Sequence, residues 1–111
     1  DAYVRYAAGS YQLVAPVGPG DTTADDISAD GRYVAVNTEN PMPGDTNGND
    51  EDIVIRDRAT GADRLVTRGG PGASSEATLS ANGSVVAFGS ETAGLAPGAT
   101  GDWNVYVATL R

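Results

Sequence analysis

Short apolar runs separated by polar, glycine-rich segments recur along the chain, and no segment shows a capped helical period. The clearest runs are residues 33–36 (YVAV), 52–56 (DIVIR), 85–88 (VVAF) and 104–108 (NVYVA). Brief runs rich in β-branched and aromatic residues, bounded by turn residues, are typical of strands. The pattern therefore predicts an all-β protein with antiparallel sheets.

The chain repeats itself after 52 residues. Residues 27–36 (ISADGRYVAV) return as residues 79–88 (LSANGSVVAF), and 11 of the 28 positions in residues 9–36 are identical to their counterparts in residues 61–88 without a gap. A period of this size is typical of architectures that use one supersecondary unit several times.

A turn is expected just before the apolar run in each copy. Asp-Gly and Asn-Gly favour two-residue hairpins in which both positions have positive φ. We therefore expect residues 26–29 to pair with residues 32–36, and the same pairing 52 residues later. The structural turn residues are expected to be Asp30, Gly31, Asn82 and Gly83.

Further strands are expected at residues 2–5, 12–15 and 64–67, which brings the total to nine. The chain then forms a single repeat domain that contains two and a fraction units. These are a partial unit with the third and fourth strands (1–15), a full unit (24–67) and a unit without its fourth strand (76–109).

The segments ISADGRYVAV, PGDTNGNDEDIVIRDRATG and RLVT follow one another as in the blades of TolB-like β-propellers, which the chain resembles over nearly its whole length. Asn82 and the segment GATGDWNVYVATL depart from the blade pattern in the second copy. The resemblance implies antiparallel four-stranded propeller blades, about two per chain. Propellers close with about 4–8 blades, so the ring would be incomplete in one chain. We expect a homo-oligomer that closes the ring or a piece of a larger propeller; a two-sheet sandwich is the remaining alternative.

The charge balance narrows the classes of function. A net charge of −8 and a pI of about 4.1 argue against binding to nucleic acid or to anionic membranes, because both are negatively charged. The chain has no Cys and no His, so thiolate metal sites and a histidine general base are excluded. Without such a base, Ser28 and Ser80 in the repeated turns are expected to bond the backbone.

The acidic loop at residues 43–52 is the candidate metal site. Asp45, Asn47 and Asn49 alternate as oxygen ligands do at the start of calcium loops. Asp50 and Arg56 stand where an EF-hand needs Gly and Glu, so the loop is not an EF-hand. The alternative is a polar loop in which these side chains bond their own backbone. Calcium is therefore a hypothesis, and no cofactor is certain.

Four other side chains could contact a ligand or partner. Trp103 and Tyr106 could stack on a sugar, anchor a protein, or pack on a sheet edge. Asp25 and Asp26 could serve glycoside hydrolysis only at a suitable separation, and the competing interpretation is a solvated strand end.

We expect a non-catalytic binding or assembly module, not an enzyme. The alternatives are a multivalent carbohydrate-binding oligomer and an accessory propeller fragment of a secreted hydrolase. Its ligand would be a protein or a carbohydrate. The acidic, cysteine-free composition and the likeness to secreted and periplasmic propellers lead us to expect a secreted or periplasmic protein.

Overall fold

A computed structural model describes residues 1–14, 18–43, 50–67, 72–92, 95–99 and 101–110. Within these ranges the chain forms nine strands and no helix, which confirms the all-β prediction. No described segment is a helix with the length and apolarity needed to cross a membrane. The strands are β1 (Tyr3–Arg5), β2 (Tyr11–Leu13), β3 (Thr22–Ile27), β4 (Tyr33–Thr38), β5 (Asp52–Asp57), β6 (Ala62–Leu65), β7 (Ser74–Leu79), β8 (Val85–Ser90) and β9 (Asn104–Thr109).

The strands form three antiparallel sheets, and each follows chain order. Sheet A is β1-β2, sheet B is β3-β4-β5-β6, and sheet C is β7-β8-β9. The register repeats with the sequence: β4 pairs with β5 from Tyr33↔Asp57 onward, and β8 pairs with β9 from Val85↔Thr109 onward. Sheets B and C begin at Thr22 and Ser74, two residues before the bounds of 24 and 76 that the sequence indicated.

The hairpin turns differ from the prediction. Strand β3 ends at Ile27 and not at residue 29, because the Ser28 hydroxyl accepts the Tyr33 N–H and the Ser28 carbonyl accepts the Gly31 N–H. Asp30 accepts hydrogen bonds from the Ser28 hydroxyl and the Arg32 N–H, and only Gly31 has positive φ. The prediction of a two-residue turn is therefore wrong, because these hydrogen bonds form a longer turn.

The second copy builds the same turn. The Val85 N–H donates to the Ser80 hydroxyl, and the Asn82 side chain accepts from the Ser84 N–H. Gly83 has a φ of +71°, while Asn82 does not have positive φ. The expected backbone bonding of the two repeated serines is confirmed.

Sheet B lies between the other two sheets and is covered on both faces. Val34 and Val36 of β4 pack with residues of sheet A, whereas Ala35 between them packs against sheet C. Successive side chains of a strand point to opposite faces, so a continuous apolar run suits a strand buried on both sides. Two core clusters result, one on each face of sheet B.

Candidate functional site at the ends of the sheet stack

The face of sheet C that points away from sheet B is apolar. Alternation along β8 and β9 places Val85, Ala87 and Gly89 on this face beside Val105 and Val107. Val105 is 82% exposed and Val107 is 70% exposed. Within β8 and β9 as described, no residue on this outer face is charged. Exposed β-branched residues grouped on one sheet face are typical of an interaction surface.

The equivalent face of sheet B is completely covered. Ile53 and Ile55 precede Val105 and Val107 by 52 residues, and they are 0% and 4% exposed because sheet C packs on them. The exposed residues on the outer face of sheet C are therefore counterparts of residues that are buried in sheet B, one repeat earlier in the chain.

Trp103 lies on this outer face, and its ring covers Gly89. A Cβ added at Gly89 would lie 3.2 Å from the Trp103 ring, so the glycine permits the close approach. About half of the Trp103 side chain stays exposed. Trp103 thus extends the apolar surface beyond the end of β9.

A groove opens at the other end of the stack, beside β1. It has a volume of about 420 Å³ and is walled by β1, β3 and the start of β4. Ile27 in its wall is 46% exposed, whereas Leu79, its equivalent, is 8% exposed and packs against sheet B. The difference arises because Leu79 packs against β4 of sheet B, whereas sheet A has no strand equivalent to β4 among the described residues.

Strands β1 and β9 each lack a neighbour that their counterpart β5 has, in the part of the chain that the structure describes. Strand β5 pairs with β4 on one side and with β6 on the other. Its counterpart β1 pairs only with β2, and its counterpart β9 pairs only with β8. A second groove of about 250 Å³ lies between the end of β9 and β6; it is lined by Arg64, Leu65, Val66, Ala108, Thr109 and Leu110. Unpaired edges are ready to pair with another strand.

Two carboxylates of β3 hold sheets B and C together. The Ala77 N–H donates to Asp25 Oδ2 at 2.9 Å, and the Leu79 N–H donates to Asp26 Oδ2 at 2.7 Å. Burial raises the pKa of Asp25. The interpretation as a solvated strand end is therefore wrong. The sequence contained a sign that these two carboxylates have a specific role, because the equivalent positions 77 and 78 of the second copy lack carboxylates.

Arginines connect the turns at one end of the sheets. Arg58 donates from Nε to Gln12 Oε1 at 2.7 Å and from Nη2 to the Tyr6 hydroxyl at 2.8 Å. Arg32 forms a bidentate ion pair with Asp57, with both N–O distances at 2.9 Å. These hydrogen bonds lower the pKa of Asp57 to about 2. Sequence reasoning missed these contacts, because they join residues 25 to 52 positions apart in the chain.

A cleft of about 190 Å³ lies between sheets B and C near these turns. Asp57 and Asp63 stand in its wall, and each is ion-paired, to Arg32 and Arg56 respectively. The Arg32 N–H likewise lowers the pKa of the nearby Asp30. Because these carboxylates already bind arginines, they are not available to a ligand in the cleft. The two ends of the stack are therefore the better candidates for a binding site.

Tyr106 and Trp103 lie on opposite faces of sheet C, so the structure does not bring them together. The Tyr106 ring stacks on Phe88 with centroids 5.7 Å apart, within the core shared with sheet B. Its hydroxyl donates to the Thr92 carbonyl at 3.4 Å. Of the two, Trp103 has its ring on the exposed apolar face.

The proposed calcium ligands Asp45, Asn47 and Asn49 lie outside the described residues. Among the residues that are described, no three acidic, His or Cys side chains cluster closely enough to hold a metal ion. The calcium hypothesis therefore stays a prediction.

Comparison of the chain with protein-family models, with curated proteins and with solved structures found no match in any of the three. The internal repeat is thus the guide to function, since it supplies two related sheets whose surroundings can be compared. The comparison of sheet B with sheet C points to the ends of the stack.

Proposed function

We propose that the protein is a non-catalytic assembly module built from TolB-like propeller blades. It docks a further sheet of the same construction on the outer face of sheet C. One observation carries the proposal: Val105 and Val107 are exposed at the positions where Ile53 and Ile55 are buried under the next sheet.

The energetics support docking. Burying a Val or Ile side chain fully is worth roughly 1.5–3 kcal/mol. Val105, Val107 and the half-exposed Trp103 together represent several kcal/mol that an isolated chain does not gain. Covering them would release this free energy, minus the cost of association.

The acidic groups support a structural role over catalysis. Asp25 and Asp26, the carboxylates that could have suited glycoside hydrolysis, bind backbone N–H groups of the neighbouring sheet. A carboxylate used in this way holds two sheets in register. The acidic composition of the chain is thus partly accounted for by contacts between sheets.

The test is the solution mass of the protein, measured by light scattering on a sizing column over a concentration series. We expect the wild type to exceed the 11.2 kDa of one chain. We expect Val105→Thr/Val107→Thr to elute as a monomer at the same concentration. Thr keeps the β-branched shape, and both positions are exposed, so circular dichroism should be unchanged.

Ala59→Thr in the exposed β5–β6 turn is the matched control, and it should associate as the wild type does. A wild-type chain that stays monomeric up to about 1 mM, a dissociation constant worth only about 4 kcal/mol, would overturn the proposal. Equal association of the double-threonine variant and the wild type would also overturn it.

A further inference from the structure

We infer that the docked sheet comes from a second copy of this chain, bound head to tail. Strand β9 of one copy runs along the unpaired edge of β1 of the next, and Val105 and Val107 cover Ile27 there. This inference rests on the proposed function, and it adds the identity of the partner and the strands in contact.

The unpaired edge of β1 and the unpaired edge of β9 are complementary. In sheet B, the third strand β5 runs antiparallel to both of its neighbours. Strand β1 lacks the neighbour that β4 provides to β5, and β9 lacks the neighbour that β6 provides to β5, within the ranges that the structure describes. An antiparallel β9–β1 ladder between two copies satisfies both edges at once.

The faces of such a joint sheet also agree. Val4 of β1 points towards its own sheet B, where it packs beside Val34. Val105 and Val107 of sheet C point away from sheet B, towards the position of a docked sheet. When β9 continues sheet A of the next copy, these valines face that copy's sheet B, in the groove where Ile27 is exposed. One contact thereby covers three exposed apolar side chains.

The far face of sheet A is covered in the same arrangement. Tyr3, Tyr11 and Leu13 are exposed on the side of sheet A that turns away from sheet B. In the joint sheet they point back towards sheet B of the first copy, over the groove beside β6 that contains Val66. The apolar surface at both ends of the stack is thus used.

The contact is heterologous, because the β9 side of one copy meets the β1 side of the next. Repetition of a heterologous contact gives a closed ring when the rotation closes and an open chain when it does not. An isologous contact between two sheet C faces would cover Val107 with Val107 instead. It would leave Ile27 exposed and both strand edges unpaired, so it accounts for fewer of the observations.

Cysteine cross-linking tests the inference cleanly, because the chain contains no Cys. Val107→Cys and Ile27→Cys are mixed in equal amounts and treated with a short bis-maleimide. The three products differ in mass and are separated by mass spectrometry. We expect the mixed product to form at least about tenfold faster than either homodimer, because the contact raises the local concentration into the millimolar range.

Ala59→Cys replaces Ile27→Cys in the control mixture, and its mixed product should form at the rate of random collision. A second pair, Val105→Cys with Ile27→Cys, repeats the test at the neighbouring exposed position. Circular dichroism of each variant shows whether the fold is kept.

The outcomes separate the two proposals. A dominant Val107→Cys homodimer, or a random mixture from a protein that light scattering shows to be associated, overturns the head-to-tail contact and leaves the proposed function standing. A monomeric wild type overturns both. A dominant mixed product with an unreactive Ala59→Cys control supports both.

Discussion

Ala29 donates its backbone N–H to the carbonyl oxygen of Ala81 at 2.8 Å, and the two residues occupy the same position of the same turn, 52 residues apart. The turns that follow β3 and β7 therefore lie directly against each other. Equivalent residues meet in this way when neighbouring sheets are related by a small, regular displacement.

A second pair of equivalent positions touches at both sheet contacts, although sheet A packs on sheet B through Val4 and not through Tyr3, the counterpart of Ile55. Arg58 binds Gln12 between sheets A and B, and Arg64 Nη1 donates to the Leu110 carbonyl between sheets B and C. Position 64 is position 12 shifted by 52 residues, and position 110 is position 58 shifted by the same amount. The same two positions thus touch in both sheet contacts, although their side chains differ. A further sheet that packed on sheet C as sheet C packs on sheet B would cover Val105 and Val107.

The two turn glycines are expected to differ in their tolerance of alanine. Gly31 and Gly83 have φ of +76° and +71°, a region that costs an L-residue roughly 1–2 kcal/mol. A Cβ at Gly83 would also collide with the Tyr33 ring, whereas a Cβ at Gly31 meets only Arg58 Nη1, at 3.5 Å. Gly83→Ala should therefore lower the free energy of unfolding more than Gly31→Ala, by roughly 1–3 kcal/mol of overpacking.

Urea unfolding of both glycine variants at one pH provides the measurement. Equal losses for the two variants would show that the Tyr33 ring moves aside freely. That result would contradict the close packing of the second turn on sheet B.

The strands were predictable because their signal is local. The short apolar, β-prone runs at residues 33–36 and 85–88 mark strands without reference to the rest of the chain. The turn type was missed because the Asp-Gly signal was read without Ser28, whose hydroxyl accepts from Tyr33 five residues later. Reading the S-x-D-G segment as one side-chain hydrogen-bonded unit would have given the observed turn.

The contacts between sheets were less predictable. Asp25 binds Ala77 at a separation of 52 residues, and this contact depends on how sheets B and C stack. The repeat fixes which residues are equivalent, but not which side chains touch across a sheet contact. An incomplete ring of blades implies an uncovered apolar face, but the local sequence does not single out Val105, since its sequence is that of a buried strand.

Asp25 should make stability depend on pH in an unusual direction. Its pKa is raised by burial, so the folded state favours the protonated carboxyl. The resulting stabilisation is complete below the ordinary pKa of 3.8 and is lost as the pH rises through the raised value. Asp25→Asn keeps an acceptor for the Ala77 N–H and carries no charge. It should therefore unfold at higher urea than the wild type at pH 7, and at a similar urea concentration near pH 3.

Asp25→Ala is the matched comparison, because it removes the acceptor as well as the charge. It should be less stable than Asp25→Asn by about 1 kcal/mol, the usual net value of a hydrogen bond. An Asp25→Asn variant that is destabilised at pH 7 would show that the negative charge itself is needed by the Ala77 N–H.

Asp57 should show the opposite pH dependence. Its pKa is lowered to about 2, chiefly by the hydrogen bonds from Arg32. A lowered pKa contributes stability above the ordinary value of 3.8, and this contribution is lost as the pH falls towards 2. Asp57→Asn should be less stable than the wild type at pH 7, and the difference should shrink on acidification. Urea midpoints at several pH values measure it.

Arg32→Gln removes the other partner of this ion pair and should reproduce much of the Asp57→Asn effect. The double variant should then lose less than the sum of the two single variants, because both single substitutions remove the same interaction. Additive losses would mean that the two side chains stabilise the fold independently.

Arg58 should control how firmly sheet A is held against sheet B. Its guanidinium donates to Gln12, to the Tyr6 hydroxyl and to the Gly31 carbonyl, and it lies 5.3 Å from the centre of the Tyr6 ring. Arg58→Met keeps a long apolar side chain and removes all three hydrogen bonds. Hydrogen bonds from a charged group are worth roughly 1.5–3 kcal/mol, so local opening of sheet A should become at least about tenfold more frequent.

Amide hydrogen exchange locates this effect. The Val14 N–H, which donates to the Ala2 carbonyl beside the β1–β2 ladder, should exchange faster in Arg58→Met, while amides of β8 should keep their wild-type rates. Arg58→Lys should give intermediate rates, because one ammonium group cannot reach three acceptors that a planar guanidinium reaches together. Uniform acceleration throughout all three sheets would instead show that sheets A and B open together with the whole fold, and that Arg58 does not act on sheet A alone.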